Sequence, residues 1–313
     1  MNRFDDGLYR IPDDLVIGNY VAMAPSNWGI TLLDVNALRE EGSGEGEIVG
    51  VIDTGIDGSH EIIRDNLIAA ADFTGSSRGS NDVNGHGTHC SGTAAGSNPA
   101  VSVAYKAKLV HGKGLSDGGS GAGTWIAKAM EFCYDNGARV LSLSIGSSGR
   151  DPSIDAMGQK LTDLGCNIVC AAGNSGSGTA DVDFPGRLPW ALSVASVTNA
   201  LDVSSFSSSG KKIEVAAPGS NIESARTGGG YQTMSGTSMA TPFVAGVVAC
   251  LRSAMAKRGM KPPITAELRA AFMFRAMDIG TPGVDRRSGP GVIRPALLRQ
   301  ILTAVPPPVT PGN

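Results

Sequence analysis

The sequence predicts an α/β fold, doubly wound, with a mostly parallel sheet and helices on both faces. Three observations carry this. Short β-branched apolar runs recur along the chain, amphipathic stretches at helical spacing separate them, and Gly or Pro punctuates the junctions. Strand–helix–strand alternation implies right-handed crossovers and parallel pairing. Sites in such sheets form beyond the carboxyl ends of the strands.

The elements follow in order. "EIVGVIDTG" (47–55) reads as a buried strand ending in a turn, and "AKLVHGKG" (107–114) and "ARVLSLSIG" (138–146) read likewise. So do "CNIVCAAGN" (166–174), "ALSVASV" (191–197) and "KIEVAAPG" (212–219). "GTWIAKAMEFCYDNG" (123–137) has apolar residues at helical spacing and a Gly stop. "DPSIDAMGQKLTDLG" (151–165) carries Pro near its start and Gly at its end, the usual helix asymmetry. The apolar run after Pro242 is a further helix. A proline is tolerated near a helix start and disruptive deeper inside, so that helix must begin shortly before Pro242.

The bulk composition narrows the function classes. With 313 residues the chain is long enough for one large buried core. A net charge of -3, with dispersed charges, gives no electrostatic case for nucleic acid or an anionic membrane as partner. No apolar run reaches 18 residues, so a membrane span is not expected. The 43 glycines follow no fixed period and point to turns and close backbone approaches. Five cysteines lack the spacing of a disulfide scaffold, and the N-terminus lacks the apolar core of a secretory signal. Together these predict a reducing, cytoplasmic setting, or secretion if a leader has been removed. Residues 1–30 read as an extension wrapped on a domain at 31–303, and 304–313 as a Pro-rich tail.

Three residues stand out chemically. Asp53 in "VIDTGIDGSH" ends the first strong strand, where an α/β site would lie. Taken alone it reads as a turn residue. His86 in "NGHGTHCSGTAAG" is flanked by glycines and opens a helical run of small residues. Ser238 in "MSGTSMATPFVAGVVAC" lies at the start of the Pro242 helix among small residues, where N–H groups and the helix dipole favour developing negative charge. A nucleophilic serine needs a base, and imidazole titrates near working pH. The imidazole in turn needs a carboxylate to fix its tautomer. Asp53, His86 and Ser238 supply all three groups, and Asn174 in "AAGNSG" offers an oxyanion donor just after a buried strand.

"VIDTGID", "GHGTHCSGT", "AAGNSG" and "SGTSMATP" resemble the Asp, His, oxyanion-Asn and Ser motifs of the subtilisin-like serine peptidases, in that family's order. The similarity runs over about residues 45–255, and "GGSGAGTWI" and "LSLSIG" resemble the family's two substrate-binding segments. The resemblance implies a serine endopeptidase acting through an acyl-enzyme on protein or peptide substrates. Ser238 would be nucleophile, His86 general base and Asp53 its orienting carboxylate. Asn174 and the Ser238 N–H would hold the oxyanion, with help from Thr237. Gly119, Ser120 and Gly121, with Ser144, Ile145 and Gly146, would pair with an extended peptide. Ala171, Ala172 and Gly173 would line the pocket for the residue before the cut. These segments carry no charged side chain, so broad specificity with apolar or large residues before the cut is expected.

Two departures bear on cofactors and regulation. Many relatives bind structural calcium through an Asp nine residues after the catalytic one. Here Ile62 stands there and cannot ligate, so no cofactor is expected for catalysis; the usual high-affinity calcium site is not expected, and weaker structural calcium sites elsewhere stay open. The N-terminal "LYRIPDDLV" resembles the short extension of intracellular subtilisins, in which an Ile-Pro pair lies across the active site. Ile11 and Pro12 would form such an inhibitory segment.

Rival readings are weaker. "HGTH" lacks the Glu of a zinc peptidase's H-E-x-x-H. Cys90, four residues after His86, could share its helix face, but a small buried cysteine is the commoner role. A catalytically inert binding protein on the same fold would have no need of all four chemical residues.

Overall fold

The computed structural model describes residues 7–11, 15–18, 25–178 and 181–303. Two short strands come first, β1 (Tyr9–Arg10) and β2 (Leu15–Gly18), then two short helices, α1 (Trp28–Leu32) and α2 (Val35–Arg39). The main alternation follows: β3 (Ile48–Asp53), β4 (Leu67–Asp72), α3 (His86–Ala95), β5 (Lys108–Lys113), β6 (Ser120–Gly121), α4 (Gly123–Asp135), β7 (Val140–Leu143), α5 (Pro152–Asp163) and β8 (Asn167–Ala171). It closes with β9 (Ala191–Val197), β10 (Val215–Pro218), a hairpin of β11 (Ile222–Ala225) and β12 (Tyr231–Ser235), then α6 (Thr237–Lys257), α7 (Thr265–Arg275) and α8 (Pro295–Leu298).

Seven strands form one parallel sheet in the order β10-β9-β8-β7-β3-β5-β4. The chain runs from β3 outward to β4, returns through β5, then crosses β3 to continue at β7. That reversal puts the carboxyl end of β3 at the switch point of the sheet, where ligands bind in open α/β folds. Helices α3 and α6 pack on one face, α4 and α5 on the other. Strand alternation feeds both layers. Val49 and Val51 of β3 join the core under α3 and α6, while Ile52 joins the core under α4 and α5. All six expected strands are present, and so is the doubly wound class.

Local chemistry explains the element ends. Asp151 caps α5 through bonds from the Ser153 and Ile154 amides, and Pro152 occupies its first turn. Helix α6 begins at Thr237, five residues before Pro242. It is long and apolar enough to cross a membrane, but 94% of its apolar window is buried against the sheet and α3, as a core helix should be. Strand β4 is an addition to the sequence reading. "LIAAAD" lies at the sheet edge and is only partly buried, so it carries few β-branched residues.

Candidate active site

The first functional side chain sits at the switch point. Asp53 ends β3, fully buried, and its Oδ1 accepts from the Thr54 amide at 2.7 Å. Nδ1 of His86, the first residue of α3, lies 2.6 Å from the same oxygen. Asp82, which the sequence reading missed, fixes this approach. Its Oδ1 accepts from Thr54 Oγ1 and the Gly85 amide, and its Oδ2 from the Thr88 amide and hydroxyl. Thr54 Oγ1 accepts from the Gly87 amide in turn. One buried carboxylate thus ties the β3 turn to the start of α3. Gly87 is needed because any Cβ there would lie 2.2 Å from the Gly55 carbonyl.

Ser238 is the second residue of α6 and is buried. Pro242 cannot donate to the Ser238 carbonyl, the bond a regular helix would make. Ser144 Oγ takes that carbonyl at 2.8 Å and Cys90 Sγ approaches it at 3.5 Å. Cys90 in turn lies 3.9 Å from both ring nitrogens of His86. The proline therefore fastens the Ser238 backbone to the Ser144–Gly146 segment and to the helix that carries His86. Ser238 Oγ makes no hydrogen bond among the described residues. Burial pushes the Cys90 thiol up to about 11, which keeps it protonated and a poor nucleophile.

Asn174 follows β8, and its Oδ1 accepts from both the amide (3.0 Å) and the hydroxyl (2.9 Å) of Thr237. This orients the Asn174 amide NH2 away from Thr237. Both donors of Thr237 are directed at Asn174.

The two segments expected to hold peptide are both edges. Main-chain groups of Arg10 exchange two bonds with Gly146, at 3.0 and 2.9 Å, and the Ile11 amide donates to the Gly119 carbonyl at 3.0 Å. Strand β1 pairs antiparallel with β6, Tyr9 opposite Gly121 and Arg10 opposite Ser120. The N-terminal segment therefore lies between Gly119–Gly121 and Ser144–Gly146 as an added strand. On the other side, β2 pairs antiparallel with β12, which leads directly into Ser238, with Leu15 opposite Ser235. Pro12 lies outside the described residues. Tyr9 is buried at 1% exposure in the apolar cluster that holds Leu115, Ile126 and Ile145, and its hydroxyl donates to the Gly149 carbonyl.

Ile145, Ala171 and Ala172 are fully buried, and Gly173 turns the chain out of β8 with a φ of 100°. Asp183 faces this corner, a residue no sequence motif singled out. Ile62 is buried in the core below α3 and α6. Among the described residues, the only cluster able to hold a metal ion is Asp53, His86 and Cys90.

The chain is similar to proteins of one kind. The subtilase family profile matches residues 44–291. A thermostable alkaline protease of Halalkalibacterium halodurans is 37% identical over 230 residues, covering 72% of this chain and 62% of that protein. An intracellular serine protease of Paenibacillus polymyxa is 33% identical over 265 residues, with 80% of each chain covered. Subtilisin E of Bacillus subtilis is 34% identical over 256 residues, covering 80% of this chain and 66% of that protein. The match spans less than two thirds of the first of these relatives.

Proposed function

This chain belongs to the subtilase family, and from that premise we propose that it is a serine endopeptidase working through Asp53, His86 and Ser238. The observation that carries the reading is the 2.6 Å contact of His86 Nδ1 with Asp53 Oδ1, at the sheet's switch point and beside the start of α6. With Nδ1–H donating to Asp53, Nε2 is the basic nitrogen. It takes the Ser238 proton as Oγ attacks the scissile carbonyl, and Asp53 stabilises the imidazolium. His86 then gives the proton to the leaving amine, and water hydrolyses the acyl-enzyme by the same route. The bond from Ser238 to His86 forms as substrate settles, a common feature of sites described without substrate. The Asn174 amide and the Ser238 N–H, at the positive end of α6, meet the oxyanion. No cofactor enters these steps. The usual structural calcium site is absent from the proposal, since Ile62 occupies it with an apolar side chain.

Substrate would bind as a strand between Gly119–Gly121 and Ser144–Gly146, as Tyr9–Ile11 does. We extend the proposal to residues 1–30 as an inhibitory extension on the domain at 31–303, with 304–313 as a tail. Supporting it, β1 joins β6 and Gly146, and β2 joins β12, the strand that leads to Ser238. Pro12 has no N–H to donate to a strand partner. A cytoplasmic setting is supported by the buried free cysteines and by the likeness to the intracellular serine protease. Titration with a fluorophosphonate tests the central reading. Wild type should label stoichiometrically and Ser238→Ala should not label at all. Equal labelling of both would remove Ser238 from the mechanism.

A further inference from the structure

Lys113 is a buried charge beside the site that the proposed catalytic steps leave unused. It ends β5, is 0% exposed, and stands opposite Asp53 in the parallel register. A lysine is almost never fully buried unless it is paired. Its Nζ donates to the Thr54 carbonyl and lies 2.9 Å from Asp117 Oδ1. These two partners belong to different parts of the site. Thr54 follows Asp53, and its amide and hydroxyl already bind Asp53 and Asp82. The bond from Lys113 therefore fixes the remaining polar group of that turn. Asp117 lies in the loop that leaves β5 and presents Gly119–Gly121. Ser76 Oγ also donates to it, at 3.0 Å, and the Lys113 ammonium holds its carboxyl below the usual carboxylate range. The same loop starts on Asp53 itself, since the Gly114 and Leu115 amides both donate to the Asp53 carbonyl, at 3.0 and 3.1 Å.

We infer that Lys113 is a positioning residue that locks the catalytic turn at Asp53–Thr54 to the peptide-binding edge at Gly119–Gly121, so that the two keep one geometry. This rests on the proposed peptidase reading. Stability alone does not account for the arrangement. Replacing a buried ion pair by apolar side chains of similar volume is often neutral for stability. Here one partner, Asp117, is 38% exposed, which weakens the pair further as a source of stability. An ammonium with three rotatable donors can serve two acceptors in different directions, a carbonyl and a carboxylate. A peptide bonded to the Gly119 carbonyl, as Ile11 is, loads the same loop that carries Asp117. Through Lys113 that loop meets Thr54, and a displacement of about 1 Å at reacting groups is enough to cost catalysis heavily. Asn84 makes a second, looser link. Its Nδ2 donates to the Asp117 carbonyl at 3.5 Å and its Oδ1 accepts from the His86 amide at 3.3 Å.

The test uses the full-length chain carrying Tyr9→Ala, so that the N-terminal segment no longer competes for the edge and KM reads the edge directly. One peptide substrate is followed at sites titrated with fluorophosphonate. Lys113→Met keeps the length of the side chain and removes its charge. It should lower kcat by about 10- to 100-fold and raise KM as well. Lys113→Arg keeps donors for both partners and should recover most of both constants. Asp117→Asn keeps the Ser76 bond and loses the charge, so it should raise KM several-fold and lower kcat less than Lys113→Met does. In the double variant Asp117→Asn should add nothing to Lys113→Met, the sign of a shared interaction. Lys160→Met, an exposed lysine paired with Glu131, is the control and should change neither constant. A Lys113→Met chain that melts earlier but keeps kcat and KM overturns the inference, because the role is then structural only. If Lys113→Met does not fold, an Asp117→Asn chain with unchanged KM overturns it equally. A parent chain that does not label overturns the peptidase reading instead.

Discussion

Tyr9→Ala measures how firmly the N-terminal segment holds the site. The side chain is 1% exposed and sits among Leu115, Ile126 and Ile145. Truncating a buried aromatic to alanine costs about 3–5 kcal/mol. At the low end, about 3 kcal/mol, the ratio of occupied to open site falls about 100-fold, since each 1.4 kcal/mol is a factor of ten. A segment that occupies the site competitively multiplies KM by one plus that ratio and leaves kcat unchanged. KM of Tyr9→Ala should therefore fall by up to about 100-fold, stopping at the value of a chain beginning at residue 19. Tyr9→Phe loses only the bond to the Gly149 carbonyl, worth about 0.5–1.5 kcal/mol, and should lower KM by about two- to tenfold. The assay is steady-state hydrolysis of one peptide at equal titrated site concentrations. Equal KM for wild type, Tyr9→Ala and the shortened chain would refute the reasoning. So would a fall in kcat with KM unchanged.

Three further outcomes are expected. Asn174→Ala should lower kcat by about 10²–10³, a magnitude carried over from the equivalent donor in subtilisin, with KM little changed in steady-state assays. Mercuric ion should inhibit wild type and spare Cys90→Ala, because Cys90 Sγ lies 3.9 Å from the His86 ring nitrogens; equal loss in both would exclude that site. Stability should fall as pH drops from 6.5 to 5. Burial pushes His89 down to about 3 and His111 to about 4, so both stay neutral when folded while the unfolded chain takes up protons below about 6.5. At pH 5 each costs about 2 kcal/mol, and His111→Asn should remove roughly half of the combined loss in urea midpoints measured at pH 7 and pH 5.

The parts of the site legible in the sequence are those that end an element with a local signal. Asp53 closes a β-branched run, His86 opens a small-residue helix, Asn174 follows a buried strand, and Pro242 fixes where α6 can begin. The six main strands were legible for the same reason. Strand β4 was not, because an edge position removes the burial that a run of Val and Ile would reflect. Asp82 and Asp183 were not, because each acts through contacts far along the chain. Asp82 reaches Thr54 across 28 residues. Thr237 was visible as a motif residue, but its hydrogen-bond partner was not. Only the 2.9 Å bond to Asn174 shows that its hydroxyl already has a task.

Gly146 shows how two contacts can converge on a residue with no side chain. Its amide and carbonyl form the edge that receives an extended chain, as the two bonds to Arg10 demonstrate. Its Cα face, where a side chain would stand, is covered by Asp183. Strand addition is indifferent to sequence, because it uses only main-chain groups. The glycine excess read from composition thus has a concrete use in this site. It lets a peptide backbone and a carboxylate approach the same Cα from different directions.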